Sequence, residues 1–194
     1  MLLSTAYLPP LAWFQKIISS DRIFIEKHEH FVKQTYRNRC HIYGANGVQA
    51  LSIPLENTHE KTLISEKKIA YKQNWQQQHW RSIESAYRNS PYFIYYEDEL
   101  KSFYQDKYEH LLEYNTEILK ALFKLLKIKT ELCFTDSFEK KAADDHRYKI
   151  SPKAGPENDL KPYTQVFSEK HGFQPNLSII DLLFNKGPDS VEYL

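Results

Sequence analysis

Short apolar runs open the chain, and apolar residues at helical spacing fill its middle. The segments "LLSTAY" (2–7) and "RIFIE" (22–26) have the length and side chains of strands. Between them, Pro9-Pro10 mark a turn and the first position of a helix over "LAWFQKII", which Ser19-Ser20-Asp21 ends. Strand, helix, strand is the pattern of a βαβ unit, hence a parallel pair joined by a right-handed crossover. A strand over 35–43, a turn at "GANG" (44–47) and a partner strand over "VQALSIPL" (48–55) predict an antiparallel hairpin, with Asn46-Gly47 suited to positive φ. Residues 56–72 are polar and carry no clear element, although "LISEKKIAY" has strand character.

Helical periodicity then takes over. Asn74 is placed to cap "WQQQHWRSIESAYRN", in which Trp80, Ile83 and Tyr87 form a stripe, and Pro91 interrupts it. A second helical pattern runs from about Asp98 to Lys127, with a break expected near Tyr114-Asn115. "TELCFT" (130–135) reads as a further strand, and residues 139–162, with Pro152, Gly155, Pro156 and Pro162, as a long polar loop. A last helix is punctuated by Ser178 and Asp181 at its start and Gly187-Pro188 at its end. No internal repeat is present. The elements predict an α/β fold, with a mostly parallel, Rossmann-like sheet flanked by helices and a helix-rich C-terminal portion, as one domain over 1–194. In such a sheet the ligand crevice falls at the carboxyl ends of the strands. Here the loop after the first strand, with Tyr7, meets the strand over 35–43, which makes Tyr7 a ligand contact.

Composition narrows the function classes. With 26 Lys and Arg against 25 Asp and Glu, the net charge is +1, without the basic excess of a nucleic-acid or membrane-surface protein. The start "MLLSTAYLPPLAWF" has no basic residue before its apolar ones and is broken by prolines, so it reads as neither signal peptide nor membrane span. Cys40 and Cys133 show no pairing or metal spacing, and a reduced cytoplasmic protein follows. Asn176-Leu177-Ser178 has the form of a glycosylation acceptor, which means little without a secretory signal.

The chemistry concentrates in "KQTYRNRCHIYG" (33–44), where Lys33, Thr35, Arg37, Arg39 and His41 recur at every second position. On a strand they line one face. The planar forks of Arg37 and Arg39, the point charge of Lys33 and the amide of Asn38 would hold a phosphate- or carboxylate-bearing ligand. The rival explanation is a solvated edge strand, or ion pairs with Glu26 and Glu29. His79, beside Trp75, Ile83 and Ala86 on a helix flank, is either a satisfied semi-buried histidine or a general base. "HEH" (28–30) lacks a third metal ligand at telling spacing, and no metal site is expected. The five glycines form no dinucleotide or phosphate-loop motif, and nothing identifies a cofactor. "YFIYY" (92–96) suits packing better than stacking on a ligand. Asp144, Asp145, His146, Arg147 and Lys153 make a mixed-charge cluster that would act as a lid if it folded over the cationic row.

"YLPPLAWF", "KQTYRNRC", "NG" before "LSIPL", "WQQQHWRSIESAYRNSPYF" and "GFQPNLSIIDLLFNKGP" occur in an order that resembles the WbqC-like protein family, over roughly residues 2–190. The most specific pieces are Asn38-Arg39, the set Trp75, His79, Ala86 and Tyr87, and the C-terminal segment. The resemblance implies an association with bacterial O-antigen and related surface-polysaccharide synthesis, and an acyl or aminoacyl transfer suggested for some members. It implies a small anionic or nucleotide-linked ligand held by Lys33, Asn38 and Arg39, with His79 as the catalytic candidate. Many family members carry a Gln-Pro pair after the first strand; this chain reads "STAYLPP" there, without the Gln.

Overall fold

The computed structural model describes residues 1–57, 61–154 and 160–194. Part of the polar loop, including Gly155 and Pro156, therefore lies outside the described residues.

The expected βαβ unit is present. Strand β1 (Leu2–Leu3) leads through helix α1 (Leu11–Ile17) to β2 (Arg22–Ile25), and the two strands pair in parallel with Leu2 opposite Phe24 and Leu3 opposite Ile25. The first strand is shorter than its apolar run because the chain leaves the sheet after Leu3, and Tyr7 donates its backbone N–H to Tyr36 instead. On its other edge β1 takes residues 144–146, where Leu2 N–H donates to Asp144 O and His146 N–H to Leu2 O, both at 2.9 Å. Strand β3 (Arg39–Gly44) and β4 (Gly47–Ser52) form the hairpin, from Arg39 opposite Ser52 to Gly44 opposite Gly47. Its two-residue turn, Ala45-Asn46, is followed by Gly47 at φ +102°, a conformation that glycine reaches without Cβ strain.

Helices α2 (Trp75–Tyr87), α3 (Phe93–Ser102) and α4 (Leu111–Leu125) follow, then β5 (Glu131–Phe134), the short α5 (Ser168–His171) and α6 (Ile179–Lys186). Strand β5 pairs in parallel with β2, so the parallel sheet has three strands in the order β1-β2-β5, and the hairpin is a separate antiparallel sheet. The chain is a mixed α/β protein with a small parallel sheet flanked by helices. The helical pattern of 98–127 breaks at 103–110, not at Tyr114-Asn115. Both of those residues point inward from α4, and Asn115 Nδ2 donates to the Arg37 carbonyl at 2.7 Å, so a polar residue in mid-helix has a tertiary partner. Asn74 begins α2 without a side-chain capping bond.

One buried cluster joins the parts. Leu3, Phe14 and Ile25 of the βαβ unit meet Ile42 of the hairpin, Tyr114 of α4 and Phe184 of α6. Among the described residues no helix is long and apolar enough to cross a membrane.

Candidate functional site

The segment carrying the cationic row is not a strand before Arg39. Gln34 takes φ +60°, and Tyr36–Asn38 form a 3-10 turn, so the alternation of faces is lost. Its carbonyls are claimed from elsewhere: Tyr36 O accepts from Tyr7 N–H, and Asn38 O from Ile53 N–H at 2.8 Å. The predicted site residues consequently separate into three places.

Lys33, Asn38 and Arg39 come together. They line a pocket of about 480 Å3 with Gln34, Lys61 and Lys67, floored by Phe31 and Leu55. Asn38 is fixed by Nδ2 donating to Ile53 O at 2.9 Å, and Arg39 by Nε donating to Ser52 Oγ at 3.0 Å across the hairpin. Lys67 is buried, donates from Nζ to the Glu56 carbonyl at 2.7 Å and lies over the Phe31 ring. Burial, and then the positive charge of Lys33, lower the Lys67 pKa. Among the described residues the lining holds four cations, Lys33, Arg39, Lys61 and Lys67, and one carboxylate, Glu56. Cations held this close repel one another, so an anion bound among them relieves that repulsion as well as pairing with each. The volume lies within the range of about 300–1,000 Å3 usual for small-molecule sites.

Arg37 stands elsewhere. Its guanidinium is sealed against Glu29 by two bonds, at 2.9 and 2.7 Å, and donates to Ser4 Oγ at 2.6 Å. Arg37 is 2% exposed and Glu29 1%. The ion-pair alternative therefore describes Arg37, while Asn38 and Arg39, the next two residues, face the pocket. A second buried pair joins Arg147 to Glu26, and Arg147 also takes both oxygens of Asp145. The mixed-charge loop thus closes over Arg37, with Tyr148 covering both guanidiniums, and not over Lys33 and Arg39.

Tyr7 and His79 form the third place. Tyr7 is fully buried, and its hydroxyl meets His79 Nδ1 at 3.0 Å and Tyr104 Oη at 2.7 Å. Burial lowers the His79 pKa to about 4, partly offset by a hydrogen bond to the Ser52 backbone. Both ring nitrogens have partners, the imidazole is neutral near pH 7, and the ring packs between Tyr7 and Trp75. Neither Tyr7 nor His79 lines the cationic pocket. Ser52 connects the two places, with its backbone bonded to His79 and its hydroxyl to Arg39.

Among the described residues no group of three His, Cys, Asp or Glu could hold a metal ion. Cys40 is buried, which pushes its thiol pKa well up and keeps it from acting as a thiolate. Two lining residues, Lys61 and Lys67, were invisible to sequence reasoning because lysines in a polar run look like an ordinary solvated face.

Comparison with known proteins fixes the class to which this arrangement belongs. Residues 5–162 and 156–193 match the model of the WbqC-like protein family, and the chain belongs to that family. The "Uncharacterized protein Rv1507c" of Mycobacterium tuberculosis is 25% identical, over the whole of this chain and 96% of its own length. No solved structure matches.

Proposed function

We propose that this protein binds the phosphorylated or nucleotide-linked end of a bacterial surface-polysaccharide precursor in the cationic pocket. The observation that carries the reading is the convergence of Lys33, Asn38 and Arg39 with Lys61 and Lys67 on one 480 Å3 pocket. A guanidinium fork anchored on Ser52, an amide anchored on Ile53 and three ammonium groups suit the oxygens of a phosphate or diphosphate. The polysaccharide context, and an acyl or aminoacyl transfer as the reaction, are supported by the family resemblance. In this reading the protein works in the cytoplasm, where nucleotide-linked sugars are available, and its βαβ unit is the start of a Rossmann-like sheet. A second reading is a non-catalytic module that binds a phosphorylated ligand or a partner protein without chemistry of its own. It is favoured by His79, whose ring nitrogens are occupied and which does not line the pocket.

The test is a thermal-shift screen with UMP, UDP-glucose, GDP-mannose and free glucose. A ligand at a hundredfold its Kd stabilises by about 2.7 kcal/mol, which is easily read. The phosphorylated compounds are expected to raise Tm, glucose is not, and Lys33→Ala/Arg39→Ala is expected to abolish the rise. An equal rise in that variant would sink the anion pocket. Incubation of the bound nucleotide sugar with acyl and aminoacyl donors then separates the readings: a product of new mass supports the transferase, and binding without turnover supports the module.

A further inference from the structure

Behind the segment that forms the cationic pocket lies a second, much smaller cavity. Residues 33–39 serve both: Lys33, Gln34, Asn38 and Arg39 line the pocket, whereas Thr35, Tyr36 and Arg37 line the cavity. The two have no lining residue in common. The cavity lies just past the carboxyl end of β1, bounded by residues 3–6, Trp13, and His146, Arg147 and Ile150 of the segment laid along β1. Its volume is about 10 Å3, room for one water-sized group.

Two of the residues lining it carry buried polar atoms that lack a partner among the described residues. Trp13 is 2% exposed, and its Nε1 has no hydrogen-bond partner among the described residues. His146 Nδ1 is likewise buried and without one. The other nitrogen of that ring, Nε2, lies 2.6 Å from Asp144 Oδ1. This bond holds the Asp144 carboxyl below its usual pKa, so the carboxylate is an acceptor and Nε2 carries the proton. In the neutral ring Nδ1 is then a lone pair, fixed in place by a carboxylate on its far side. A buried indole N–H and a buried imidazole lone pair each cost free energy when left alone, and they call for opposite halves of one hydrogen-bonding group.

We propose that the cavity is a hydroxyl-binding site, in which one oxygen accepts from Trp13 Nε1–H and donates its own hydrogen to His146 Nδ1. The occupant is neutral, because the guanidiniums in the wall are already matched, Arg37 by Glu29 and Arg147 by Asp145 and Glu26. A carboxylate has no hydrogen to give Nδ1, and an alkylammonium has no lone pair for the indole. The O–H of water or of an alcohol supplies both. Water fits the cavity as it stands. A sugar or polyol hydroxyl enters once residues 144–150 lift, which breaks the two backbone bonds to Leu2, the bond from Ser4 Oγ to the Arg147 carbonyl and the buried ion pair of Arg147 with Glu26.

The test follows the Trp13 indole N–H of the 15N-labelled full chain, assigned with Trp13→Phe. Magnetisation transfer from water, and titrations with glycerol and with glucose, are read in the wild type. Transfer to the indole with no polyol effect supports the site with water as its hydroxyl. A saturable shift of Trp13 and His146 signals by a polyol supports it with an alcohol as the occupant. No transfer and no shift overturns it, as does a His146 whose proton sits on Nδ1 at neutral pH. In His146→Phe the water or polyol signal is expected to be lost. Should that variant fail to fold, Asp144→Asn, which leaves the ring but frees its tautomer, is expected to weaken the signal several-fold, and an undiminished signal counts against the proposal. Lys33→Ala/Arg39→Ala is expected to keep the signal in full while losing the nucleotide response, so failure of the anion pocket and failure of this site are told apart.

Discussion

Arg37 and Arg39 are two residues apart and have opposite surroundings. Arg37 is shut in with Glu29, its fork satisfied on two sides and its neighbour Ser4 taken as a third acceptor. Arg39 is partly exposed, is held by a bond to the Ser52 hydroxyl, and faces a pocket whose described lining has four cations and one carboxylate. The same side chain is a structural rivet in one place and, among the described residues, a charge without a carboxylate partner in the other. What separates them is where a counter-charge arrives in the fold. For a buried charge the desolvation cost is large, so a partner must be there; for a charge on a pocket wall, water carries that cost until a ligand replaces it.

The largest effect should come from breaking the sealed side. Arg37→Met leaves Glu29 buried without its partner, and is expected to lower stability by about 3–5 kcal/mol in urea unfolding. The double variant Arg37→Met/Glu29→Leu should recover most of that loss, because two apolar side chains leave no stranded charge. If Arg39→Ala proves as costly as Arg37→Met, the contrast between the two arginines collapses.

A second contrast lies between two buried titratable groups. Burial raises the Asp181 pKa from 3.8 to about 6, with Tyr163, Gln165 and Tyr87 bonding its carboxylate and limiting the rise. Burial lowers the His79 pKa from 6.5 to about 4. For Asp181 the folded value exceeds the unfolded one, so its contribution is fully present below about pH 4 and is lost as pH rises toward about 6. For His79 the unfolded state binds the proton more tightly, so its contribution grows with pH between about 4 and 6.5. The two slopes oppose each other over the same window, each on the order of 1.4 kcal/mol per pH unit. Asp181→Asn should therefore make stability climb more steeply with pH than in the wild type, and His79→Gln should make it climb less. Urea midpoints between roughly pH 4.5 and 5.5 read both changes. Two variants with the same slope as the wild type would show that burial does not shift these groups.

Much of the scaffold was legible because its signals are local. The strand-helix-strand start, the hairpin with its glycine, α2 and β5 all follow from spacing within a dozen residues. The errors fall where a distant partner decides. Residues 35–38 read as strand until Gln34 turns left-handed and Tyr7 and Ile53 claim the carbonyls of Tyr36 and Asn38. Asn115 reads as a helix break until it finds the Arg37 carbonyl. In the site, Lys33, Asn38 and Arg39 line one pocket, but the strand expected over 35–43 begins only at Arg39, so Arg37 turns away to Glu29, and Tyr7 and His79 lie in the core. Lys61 and Lys67 enter the pocket from a segment without any periodicity to place it.

The smallest expected change in stability carries the most information about the open side. Arg39→Lys keeps the charge at the pocket wall but loses the planar fork and with it the Nε bond to Ser52. On a partly exposed residue this should change stability by no more than about 0.5 kcal/mol. If Arg39 grips a phosphate through two parallel N–H bonds, the affinity for UMP should fall about tenfold, a change of about 1.4 kcal/mol, with little further loss in Arg39→Ala. If the pocket works only by its summed charge, Arg39→Lys should bind as the wild type does, and Lys33→Ala should weaken binding as much as Arg39→Ala. Titration calorimetry on the three variants at one fixed salt concentration distinguishes a shaped contact from a field, and so decides whether Arg39 differs from Arg37 in what it pairs with or only in when.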